Sequence, residues 1–119
     1  MDHHLLVFIL NREEDLEEIL LGFVEIGIPG ATVIDSVGMG RILSHEIPLF
    51  AGLRSLLVGT RPTNRTIISV VPGKEKLEKA IVLITDICGD LDEPGSGVLF
   101  TIPLSEVRGV APYEENLGK

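Results

Sequence analysis

Three observations predict an α+β sandwich for this 119-residue chain. Four short apolar runs rich in strand formers occupy residues 4–10, 31–37, 66–71 and 97–104. Two longer stretches, one after the first run and one after the third, repeat their apolar residues at helical spacing. Glycine and proline stand at the breaks between them. The order strand, helix, strand, strand, helix, strand is the split arrangement of a ferredoxin-like domain. The predicted architecture is a four-stranded antiparallel sheet with both helices on one face, formed as a single domain over residues 1–119.

The first run, "HLLVFIL", is too short for a helix and suits a strand. In "NREEDLEEILLGFVEIG", Leu16, Ile19, Leu20, Phe23 and Val24 fall three and four apart and form one apolar stripe. Asn11 is placed to cap this helix, with Glu14 three residues later. Glu13, Glu14 and Asp15 sit where the helix dipole favours negative charge, and "EEDLEE" reads as a solvated face. Gly27 ends the helix in a left-handed conformation. "ATVIDSV" and "TIISVV" are the second and third strands, and Pro72 with Gly73 breaks the chain after the latter. The second helix, "KEKLEKAIVLITDICG", aligns Leu77, Ala80, Ile81, Ile84 and Ile87 and stops at Gly89. "GVLFTIPL" is the fourth strand; "EVRGV" extends it or makes a short fifth. Residues 111–119 are polar and read as a loose tail.

Composition narrows the function. Hydrophobic residues make up 45% of the chain but aromatics only 4%, so the core is built from Ile, Leu and Val. A sheet with helices on one face leaves the other uncovered, and further copies of the chain are its simplest cover. The formal net charge is −8 and the pI about 4.7. The ten basic residues are scattered, which argues against nucleic acid as a partner, since phosphate contacts need a clustered basic face. The single cysteine, Cys88, excludes an intramolecular disulfide and reads as a small buried hydrophobe. No signal peptide or membrane-spanning run is read in the chain, so a cytoplasmic protein is expected, touching a membrane only through a partner.

The stretch "FVEIGIPGATVIDSVGMGR", with "TIISVVP" before the second helix and "CGDLDEPGSGVLFTIPLSEVRGV" at the end, resembles the PII family of nitrogen-regulatory signalling proteins over residues 4–110. The resemblance implies a compact homotrimer that binds adenine nucleotides in clefts between subunits. It further implies a regulator, not an enzyme, which needs no cofactor and relays nucleotide state to a protein target through a long loop. Residue by residue, Thr32 matches a position that contacts adenine. Gly38 and Gly40 match a turn that runs past the nucleotide, and Arg41 its basic end. Gly95, Ser96 and Gly97 match a second glycine loop around phosphates, and Arg108 the first of two closing cations. Glycines let backbone N–H groups form a concave nest for an anion, and an arginine adds a charge-assisted, often two-pronged contact.

Four departures from that pattern bear on the ligand. Val98 and Val110 stand at positions that are basic in the family. Ile42 replaces the glutamine used for 2-oxoglutarate and magnesium, and Asp92 and Glu93 lie within extra residues before the second glycine loop. A hydrogen bond to a charged group is worth about 1.5–3 kcal/mol, so a triphosphate site is weakened and AMP or ADP is the expected ligand. Residues 42–65 correspond to the family's signalling loop but are apolar, with Phe50, Leu53 and Leu57 at helical spacing and Pro48 suited to a helix start. They read as a short helix packed on the trimer, as a docking arm for a partner, or as a membrane-surface helix, for which only Arg54 and Arg61 offer a cationic face. His3 and His4 are adjacent in a strand and point to opposite faces, which disfavours a shared metal. Two alternatives stay open: an interaction trimer whose degenerate site binds nothing, and a metal-handling protein like the CutA proteins, also ferredoxin-like trimers.

Overall fold

Leu6, Phe8 and Leu10 alternate along the first strand, β1 (His3–Leu10), and all three are fully buried. In a computed structural model of the chain, which describes residues 2–46, 63–93, 95 and 97–110, this strand is the centre of the sheet. It is followed by a 3₁₀ turn at Glu13–Asp15 and helix α1 (Leu16–Ile26), then strand β2 (Thr32–Ser36) and helix α2 (Met39–Glu46). Strand β3 (Asn64–Pro72), helix α3 (Lys74–Cys88) and strand β4 (Gly97–Leu104) complete the described fold. The sheet order is β2-β3-β1-β4 with every neighbour antiparallel. The α+β, ferredoxin-like arrangement expected from the sequence is the one found.

Period-two alternation divides the sheet into two chemically different faces. His3 lies opposite Pro72 and Leu104, and Leu10 opposite Arg65 and Gly97. In that register Leu6, Phe8 and Leu10 share a face with Ile67, Ser69 and Val71, all buried beneath the helices. Ile19 and Phe23 of α1 and Leu77, Ala80 and Ile84 of α3 close the core from above. The helices touch where Gly22 faces Leu83: a Cβ at Gly22 would lie 2.4 Å from the Leu83 side chain. The opposite face carries Val98, Phe100 and Ile102 on β4 and Ile34 on β2, all exposed large hydrophobics.

Several local expectations are corrected. Val24 is 60% exposed, because the core stripe of α1 narrows to Ile19 and Phe23, with Leu16 packed at its edge. Asn11 does not cap α1; a 3₁₀ turn intervenes, with Asp15 N–H donating to the Arg12 carbonyl at 2.9 Å. The Asn11 amide instead donates to the Gly95 carbonyl at 3.1 Å. Residues 105–110 form no strand. The segment after β2 is helical from Met39, where its glycines suggest a turn. Residues 47–62, Pro48 included, and the tail 111–119 lie outside the described residues. His3 and His4 fall on opposite faces, as alternation requires.

Cys88 ends α3 in the core cluster. Burial pushes its thiol up to about 11, and the neighbouring Asp15 carboxylate adds to the shift by its charge and by accepting a hydrogen bond from the protonated thiol. The protonated form is therefore favoured in the folded state, and the contribution is complete below pH about 9, the ordinary thiol value. It is lost as pH rises through about 11. Native protein at pH 8 should react with a thiol reagent at least tenfold more slowly than denatured protein. Equal rates in the two states would show that Cys88 is not held in the core.

Candidate functional site

The chain leaving α1 is stitched to the sheet by one buried hydroxyl. Gly27 adopts a left-handed conformation (φ 97°) that ends the helix, and three residues later the Gly30 carbonyl accepts a hydrogen bond from Ser69 Oγ at 2.6 Å. Ser69 is almost fully buried among aliphatic side chains, and this bond satisfies its hydroxyl. The contact sets Pro29–Thr32 against β3, where Thr32 pairs with Ile68. From the other side, the segment following β4 turns at Gly109 (φ 88°) and reaches Ile68 and Val70. The result is a cavity of about 320 Å³ walled by Pro29–Thr32, by Ile68 and Val70, and by Gly109 and Val110.

Among the described residues, no charged side chain lines this cavity, and their polar groups there are the Thr32 hydroxyl and backbone amides. Its size falls in the range of small-molecule sites, and its walls suit an uncharged, flat group. Arg108 stands one residue before Gly109. Its Nε donates to Glu106 Oε2 at 2.6 Å, and both side chains are exposed. Thr32 and the Arg108 segment, far apart in sequence, are thus brought to one place. Val110 forms part of the wall. Val98 is exposed on the open sheet face opposite Ile9.

The two glycine motifs are not brought together within one chain. Gly38 and Gly40 follow β2 at one edge of the sheet, and Gly95 and Gly97 precede β4 at the other. Both lie at the same end, since Gly97 pairs with Leu10, Leu10 with Arg65, and Arg65 with Asp35. Three interstrand spacings separate the edges, roughly 14 Å. "GMGR" is itself the opening turn of α2, with Ile42 N–H donating to the Gly38 carbonyl at 3.3 Å. The Arg41 backbone lies in that turn; its side chain, like Ser96 and Pro94, lies outside the described residues.

The glycines differ in what demands them. A Cβ at Gly97 (φ 142°) would lie 2.6 Å from the Ile9 carbonyl oxygen and 2.8 Å from the Phe8 ring, so β1 alone requires glycine there. Gly95 has φ 85° with open space around it, and its carbonyl is held by Asn11. Gly38 has no such constraint: its nearest neighbour would be Asn64 Nδ2 at 3.8 Å. Beside it the Ser36 hydroxyl contacts Asn64 Oδ1 and, at 2.8 Å, Thr66 Oγ1. Sequence reasoning missed Ser69, Ile68, Val70, Asn11 and Glu106. The alternation of β3 could have flagged Ile68 and Val70; the others depend on contacts distant in sequence. Among the described residues, no group of three or more His, Cys, Asp or Glu is placed to hold a metal.

Neither a family model nor a curated protein sequence matches the chain. Solved structures do. A functionally unknown protein from Pediococcus pentosaceus aligns over 92% of this chain and 98% of its own, with 13% identity and a TM-score of 0.60. The complex of Bacillus subtilis GlnK with ATP aligns over 87% and 85%, with 17% identity and a TM-score of 0.56. Arabidopsis thaliana PII bound to citrate aligns over 94% and 87%, with 22% identity and a TM-score of 0.57. The fold is PII-like.

Gly97→Ala should lower stability by about 1–3 kcal/mol, from backbone strain and the contact with β1. Gly38→Ala should leave the denaturation midpoint within the roughly 0.5 kcal/mol typical of a neutral surface change. Chemical denaturation of both variants checks this; equal losses would remove the distinction between the two motifs.

Proposed function

We propose that the chain forms a regulatory homotrimer, binding AMP or ADP in clefts between subunits and acting in the cytoplasm through a protein partner. The observation that carries this reading is the position of the glycine motifs. They occupy the same end of the sheet but opposite edges, so a ligand touching both needs the β2 edge of one subunit beside the β4 edge of another. The open sheet face supports the assembly, because Ile34, Val98, Phe100 and Ile102 leave an apolar surface that further copies would cover. The GlnK–ATP complex supports an adenine nucleotide as the ligand class. The reading assigns no reaction to the protein.

In the assembled site, Thr32 and the cavity beside it hold the base. Gly38, Gly40 and Arg41 come from one subunit; Gly95, Ser96 and Gly97 come from its neighbour, and Arg108 contacts phosphate. The preference for few phosphates follows from charge. Val98 and Val110 supply no cation, and Asp92 and Glu93 stand exposed before the second glycine loop. Close charge pairs at a protein surface contribute about 1–4 kcal/mol, so each added phosphate gains little here. Residues 42–65 are the segment proposed to meet the partner, and the exposure of Met39 (74%) and Ile42 on α2 supports an apolar contact beginning there.

Sedimentation should give about 39 kDa, three times the 12.9 kDa chain; a stable monomer at micromolar concentration would remove the intersubunit site. Calorimetry should show AMP or ADP binding at least as tightly as ATP, with little help from magnesium. ATP binding tenfold tighter than both would overturn the proposed selectivity. Arg108→Ala should weaken the bound nucleotide by roughly 10- to 150-fold, the value of one hydrogen bond to a charged group, and leave the fold intact.

A further inference from the structure

The arginine next in sequence to the cavity wall already has a carboxylate on it. Arg108 Nε donates to Glu106 Oε2 at 2.6 Å. The two side chains are 85% and 67% exposed, so the pair is open to solvent and exchangeable. Gly109 turns the chain directly after Arg108, and Gly109 and Val110 then line the cavity. In the proposed site, a ligand seated against Thr32 and Ile68 extends its charged end toward this pair.

We infer that Glu106 is a specificity-determining residue of this site: it occupies the Nε side of the Arg108 fork that a phosphate would otherwise take, and so grades ligands by charge. This rests on the proposed nucleotide site. Arginine binds oxyanions best through two parallel N–H groups. With Glu106 on Nε, one phosphate can still use the terminal nitrogens of the guanidinium. Each further phosphate brings its charge toward the Glu106 carboxylate. An uncharged nucleoside uses only the cavity and is indifferent to the pair. The carboxylate thus lowers affinity in the order ADP, AMP, adenosine, with the largest effect on ADP.

Calorimetry on the intact protein with adenosine, AMP and ADP tests this, using wild type, Glu106→Gln, Arg108→Ala and the double variant. Both side chains are exposed, so the substitutions leave the core untouched. Glu106→Gln should tighten ADP by about two- to fivefold, the range of an exposed ion pair, tighten AMP less, and leave adenosine unchanged. The gain should shrink in the Arg108→Ala background, because the carboxylate acts through that guanidinium, and it should shrink at high salt. Nucleotide binding that is identical in wild type and Glu106→Gln would overturn the inference while leaving the nucleotide site standing. An equal gain for adenosine, or an undiminished gain without Arg108, would also overturn it. No binding of any of the three ligands to wild type or Glu106→Gln would overturn the nucleotide site and the inference with it.

Discussion

The fold depends on one strand being paired along its whole length on both sides. All eight residues of β1 have partners on β3 and again on β4. Their alternation decides what each face of the sheet is for. A slip of one residue would exchange Leu6, Phe8 and Leu10 for Leu5, Val7 and Ile9, turning the core outward. With the register held, the helices cover one face and an aliphatic surface remains on the other. The same register puts Gly97 against Leu10 and Thr32 against Ile68, so the positions of the loops follow from the pairing of the strands.

Within that frame, similar glycines have different causes. Gly97 is demanded by the backbone of β1 and the Phe8 ring, independently of any ligand. Gly22 is favoured by the close Leu83 side chain across the helix pair, a contact that a rotation of the leucine could relieve. Among the described residues, Gly38 meets nothing beyond an ordinary contact. A glycine-rich motif is therefore several separate constraints, and only the glycine without an internal cause is left for a ligand or a neighbouring subunit to explain. Charge divides in a similar way. Arg65 is committed to structure, bridging Glu13 on the 3₁₀ turn and Asp35 on β2 at 3.0 Å. Arg108, held among the described residues by an exposed carboxylate, stays open to exchange.

Much of this was legible in the sequence because it rests on short-range periodicity. The four strands, the helices at 16–26 and 74–88, the glycine stops at 27 and 89 and the buried Cys88 all follow from spacing within about fifteen residues. The helix opening at Met39 was misread because two glycines look like a turn when only local propensity is weighed. Asn11 was misread because a capping residue and a loop anchor look alike until the partner, Gly95, is in place.

The sequence by itself determined the four strands, the helices α1 and α3 and the apolar residues that anchor each of those helices in the core, since each depends on residue type and local spacing. Only the tertiary structure decided which distant segments meet. It joined Ser69 to Gly30, closed a cavity between Thr32 and Val110, set Glu106 on Arg108, and held the two glycine motifs apart at opposite edges of one sheet. Strand order and register produce those meetings, and neither is written in any single stretch of chain. They arise because β1 must satisfy hydrogen bonds on both edges while burying only one face.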